Sequence, residues 1–180
     1  MHDLNERGLY QALQYAKSID EETGRKILEQ FQLDQTALAQ TIFGVFPMVI
    51  AEQDKDMSHL FMDLCFDVIC VFEKTFGALP SQSDMDINWL EKQAVLLDTE
   101  LQVLMTNKHM DDKFRDKLQN RLIQREIDEN PQPGLIKFMN AAIDDFASES
   151  PARVKATRIT QTMIYVVVRL FCSHYMHAGK

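Results

Sequence analysis

The sequence predicts an all-α protein, a single bundle of seven or eight helices with the C-terminal helix at its centre. Three observations carry that expectation. Nearly every apolar pattern recurs at three- and four-residue spacing, and no run alternates apolar and polar residues between hairpin turns. The 180 residues are 46% apolar and 26% charged with only six Gly and five Pro, the composition of an ordered globule. The final stretch, 151–177, points apolar side chains nearly all round the helical wheel, which is the signature of an enclosed helix.

In chain order, a first helix over 3–17 turns Leu4, Leu9, Ala12, Leu13 and Ala16 inward. A second, with Asp20 as N-cap, carries Ile27, Leu28 and Phe31. The third, from Asp34 to Ala51, is almost wholly apolar and contains Pro47, which removes a donor and clashes with the carbonyl four residues earlier, so a kink or break belongs near Phe43–Pro47. The fourth, 54–76, is mostly apolar, with an acidic stripe formed by Glu52, Asp56, His59, Asp63, Asp67 and Lys74.

Gly, Pro and Ser make 77–85 a loop, the natural sub-boundary inside a domain spanning 1–180. The fifth helix has Ile87, Leu90, Ala94, Leu97, Leu101 and Leu104 at strict three-four spacing, a row that fits packing inside the bundle or, as the alternative, a homodimer seam. A charged sixth helix covers 111–129 and should be the most exposed, and a short seventh covers 135–147. The last helix starts at Ser150 as N-cap with Pro151 at its first position. It also carries a narrow polar stripe of Lys155, Arg158, Thr162, Arg169 and Ser173.

Charge is divided unevenly. All 27 acids precede Ser150, whereas Arg153, Lys155, Arg158, Arg169 and Lys180 follow it, and the net charge is −8. That balance disfavours phosphate backbones. Around Ala39 a helix-turn-helix likeness fails because Gly44 is displaced by one residue and no Lys or Arg lies between Lys26 and Lys55; no DNA partner is expected. Neither a leader segment nor a run long enough for a membrane span is evident. An odd count of three cysteines in apolar surroundings implies reduced thiols. The expectation is a soluble, cytoplasmic chain without a membrane partner.

Glycine-loop, zincin and nucleophile-elbow strings are absent, and 84–95 opens like a calcium loop but has Trp89 where the turn needs Gly. Asp56, His59 and Asp63 form a carboxylate-x-x-His face of the kind helical bundles use for a metal, although no second helix supplies a matching element. Asp63 or Asp67 is placed to face Arg158 or Arg169 of the last helix, either as an internal ion pair or as the walls of a binding pocket.

The six residues from Arg169 to His174, RLFCSH, resemble the Arg-x4-His string near the end of HEPN-type helical ribonucleases. That resemblance implies Arg169 and His174 acting on an RNA phosphodiester across a dimer interface.

The leading expectation is a non-enzymatic interaction or regulatory protein, without cofactor, whose acidic first, second and sixth helices dock a basic protein partner, as inhibitor and immunity proteins do. The alternative is a helical enzyme or ligand sensor with a polar pocket between the fourth and last helices, either metal-dependent or a HEPN-like ribonuclease.

Overall fold

A computed structural model of the chain describes residues 2–105 and 132–178. The sixth helix expected at 111–129 lies outside the described residues, as does Lys180. Every regular element described is helical, as the apolar spacing requires. The seven helices among these residues are α1 (Glu6–Ser18), α2 (Glu21–Asp34), α3 (Thr36–Ala51), α4 (Lys55–Phe76), α5 (Ile87–Met105), α6 (Pro133–Ser148) and α7 (Val154–Ala178). Two compact units divide the chain: 1–83 together with 131–180, and 84–130, to which α5 belongs.

In the first unit, α4 and α7 are the inner pair. Met57, Phe61, Cys65, Val68, Ile69 and Phe72 of α4 are fully enclosed, as are Met163, Ile164, Val167, Val168 and Phe171 of α7. Helices α1, α3, α6 and α7 all pack on α4, and α6 also covers α7. Aromatic rings knit the layers. Phe171 stacks on Phe31 of α2 at 5.8 Å between centroids and meets Phe72 of α4 at 5.2 Å, so one side chain joins three helices.

Local chemistry sets the helix ends. Asn5 accepts the Gly8 N–H at 2.8 Å, Asp20 the Thr23 N–H at 2.8 Å, and Asp54 the Met57 N–H at 2.8 Å. Helix α4 stops at Gly77, whose φ of 87° is open to glycine and strained for other residues. Helix α6 begins two residues before the expected start, because Pro133 at the first position gives up no needed donor. The preceding Gln132 straps down the N-terminal segment: its amide oxygen accepts the Leu4 N–H and its amide nitrogen donates to the His2 carbonyl, both at 3.0 Å.

Two expectations are refined. Ser150 makes no side-chain cap; Pro151–Arg153 form a 3-10 turn closed by the Arg153 N–H on the Ser150 carbonyl, and the α-helix proper starts at Val154. Pro47 does not break α3. Instead Thr41–Val45 widen into a π turn in which the Phe46 N–H reaches the Thr41 carbonyl, which moves the preceding carbonyls out of the proline's way. Leu38, Ile42, Phe46 and Ile50 stay buried across the wide turn, and the Ser58 hydroxyl of α4 donates to the Pro47 carbonyl at 2.8 Å.

Among the described residues no single helix is long and apolar enough to cross a membrane; α2 and α3 reach that length and composition only as a pair bent by 118°.

In the second unit, the described side chains of α5 are all at least partly exposed, Ile87 and Ala94 largely so and Leu90 and Leu97 in part.

Because Phe171 is fully buried where α7 meets α2 and α4, Phe171→Ala should cost about 3–5 kcal/mol of stability, read as a lower urea midpoint at unchanged slope. Full retention of the midpoint would contradict the packing described.

Candidate functional site

The acidic stripe of α4 divides in two. Glu52, Asp56, His59 and Asp63 are exposed. Asp67, one turn on, is 2% exposed and turns toward α1, where Lys17 Nζ lies 2.5 Å from its Oδ2. The expected pairing of Asp63 or Asp67 with Arg158 or Arg169 is therefore corrected for Asp67. Its side of α4 abuts α1 rather than α7, and a lysine in the last turn of α1 is long enough to reach in while its stem stays at the surface. Arg158 and Arg169 are half-buried on α7.

Desolvation raises the Asp67 carboxyl above the usual carboxylate range, the Lys17 hydrogen bond and charge oppose the rise, and Asp63 adds to it. Burial thus favours the protonated acid: the stability it contributes is present below the unfolded value and is lost as pH rises through the folded one. At neutral pH Lys17 is what makes the buried charge tolerable. Lys17→Met should destabilise by about 1–2 kcal/mol at neutral pH, since it strands a buried carboxylate. In an Asp67→Asn background the same change should cost less than about 0.5 kcal/mol, and additive urea-denaturation energies would refute the coupling.

Arg153 is the ionic hub that reading the sequence missed. Its side chain is 14% exposed; Nη1 donates to the Phe146 carbonyl at 2.9 Å and to Glu149 Oε2 at 2.8 Å, Nη2 is 3.6 Å from Asp56 Oδ2, and Nε is 3.7 Å from Asp54 Oδ2. The guanidinium also lies over the Phe146 ring at 3.9 Å. Asp54 therefore caps α4 and anchors the start of α7 at once. The one signal in the sequence was the Glu149–Arg153 spacing of four.

Asp56 is thus engaged by Arg153, while His59 and Asp63 face solvent. Among the described residues no three His, Cys, Asp or Glu side chains come together to hold a metal.

His174 is 4% exposed, and its Nδ1–H donates to the Leu170 carbonyl at 2.7 Å. Burial holds the imidazole below its usual value, and His177 pushes it the same way. A ring so enclosed does not present itself to an RNA phosphodiester. The cysteines are equally withdrawn: burial pushes Cys70 and Cys172 up to about 12 and Cys65 well above its usual range, so all three are thiols rather than nucleophilic thiolates.

Helices α4 and α7 meet through aromatic rings: Phe72 lies 5.6 Å from Tyr175 as well as 5.2 Å from Phe171. A groove opens along α2 and the C-terminal end of α4. It measures about 620 Å³ and is lined by Tyr15, Lys26, Ile27, Gln30, Glu73 and Lys74 among others.

No family model, no curated protein and no solved structure matches the chain.

The lowered His174 value has a sign that can be tested. The stability it confers is present above the unfolded value of 6.5 and is lost as pH falls through the folded value. The urea midpoint should fall between about pH 7.5 and about pH 5.5, and His174→Gln should flatten that slope. Asp67 acts in the opposite sense, and the variant separates the two. An unchanged slope would show that His174 carries no such linkage.

Proposed function

We propose that the chain is a non-enzymatic binding module that docks a basic protein partner along the exposed edge of α4. One observation carries the reading: Asp56, His59 and Asp63 are exposed on α4, Asp56 sharing its charge with Arg153, while Glu52 and Met48, the latter 65% exposed, lie at the end of α3 just before it. An apolar side chain beside a band of carboxylates suits an amphipathic basic segment, with the charges steering encounter and the methionine adapting to the contact. On α2, both Glu22 and Glu29 are partnered within the helix, by the i,i+4 pairs Glu22–Lys26 and Arg25–Glu29, whereas on α4 Asp63 carries no such pair among the described residues. The withdrawn thiols and the enclosed His174 also favour binding over catalysis. Reduced, buried cysteines fit a reducing compartment, and we place the protein in the cytoplasm.

Self-association through α5 is the second reading, favoured by the exposure of Ile87 at 65% and Leu96 at 45% on that helix. Native mass spectrometry distinguishes it, since this reading requires a mass of two chains.

Carbodiimide coupling in extract, which joins carboxylates to partner lysines, should concentrate cross-links at Glu52, Asp56 and Asp63. The double variant Glu52→Lys with Asp63→Lys should lower their yield by about tenfold, whereas Glu6→Lys on α1 should leave it unchanged. Cross-links spread evenly over the acidic residues, or indifferent to the double reversal, would sink the proposal.

A further inference from the structure

The groove beside α2 gathers charged groups of both signs, of which, among the described residues, Glu73 is the one the fold leaves without a partner. Glu73 is half-buried, and desolvation together with the charge of Asp34 holds its carboxyl above the ordinary range. Among the described residues neither a hydrogen bond nor an ion pair engages that carboxyl. Lys74, next in sequence, is exposed; its ammonium lies 4.7 Å from the centre of the Tyr15 ring, and no described carboxylate pairs with it. Lys26 is held at 2.7 Å by Glu22, an exposed pair on one helix that exchanges at little cost. Ile27 and Tyr15 add apolar wall to a wide, open groove of about 620 Å³.

We infer that this groove binds a small zwitterion of the amino-acid class, its ammonium facing Glu73 and its carboxylate facing Lys74 and Lys26. A partly desolvated carboxylate without a partner gains most from an incoming cation, because the ion pair restores what burial removed. The two lysines repel a bare cation, and Glu73 repels a bare anion. Only a molecule carrying both charges satisfies both sets, so selectivity comes from repulsion as much as attraction. The site stands apart from the acidic edge: Asp56 and Glu73 are separated by about 25 Å along α4. Either can fail without the other.

The test uses three probes of matched length on the whole chain: δ-aminovalerate, valerate and amylamine, followed through amide NMR spectra. δ-Aminovalerate should shift the amides of Tyr15, Ile27 and Ala78 and bind at least about tenfold more tightly than either singly charged analogue. Glu73→Gln and Lys74→Gln should each weaken it by about tenfold, with spectra that remain dispersed, while Arg25→Gln on the same α2 should not. Shifts produced equally by valerate and unaffected by Glu73→Gln would overturn the two-charge site, as would the absence of shifts at these amides with all three probes.

Discussion

Two helices with apolar side chains on nearly every side must be enclosed by the rest of the chain, and that requirement organises the first unit. Helices α4 and α7 remove so much apolar surface from water that the remaining elements serve largely as their cover: α1, α3 and α6 on α4, and α6 again on α7. The few polar groups on these inner helices then have restricted options. Asp67 can be tolerated only with a cation brought to it, and Thr160 is satisfied locally by donating to the Ala156 carbonyl at 2.8 Å.

The same requirement bears on function. Ionisable groups that look chemical as a string of letters are largely occupied by architecture. Arg153 gathers Asp54, Asp56 and Glu149 into one ionic joint, Lys17 neutralises Asp67, and His174 is folded back against its own helix. What stays open is peripheral: an acidic edge at one end of α4 and a groove of mixed charge at the other. Among the described residues neither brings together a nucleophile, a base and an oxyanion site as a catalytic reading would need.

Fold class and helix order were legible because periodicity is a local property. The cap at Asp20 and the stop at Gly77 each depend on a few neighbouring residues, and the sequence carries them in full. Ser150 shows the limit: a serine before a proline has the right chemistry, but Pro151–Arg153 wind as a 3-10 turn and the hydroxyl makes no cap. The site was harder to read. A wheel shows that Asp63 and Asp67 share a side of α4 but not which neighbour that side meets, and Lys17, fifty residues away, bears no mark of its role. Arg153 was visible only as one cation among several, since its convergence with Asp54 and Asp56 is a product of topology. The groove gave no sequence signal because Lys26 and Glu73 share no motif.

The wide turn in α3 also resolves a problem of phase. In a regular α-helix, residues four apart drift by about 40° at each step, so a row at strict four-residue spacing wanders off the face it started on. Leu38, Ile42, Phe46 and Ile50 are such a row, yet all four are buried. The π turn at Thr41–Val45 covers the step from the second to the third, where its extra residue per turn rotates the later half of the helix back onto the earlier line. The irregularity therefore belongs to the spacing of the apolar residues as much as to Pro47. A helix in which Pro47 were replaced would still have reason to keep it, because straightening would carry Phe46 and Ile50 out of the core.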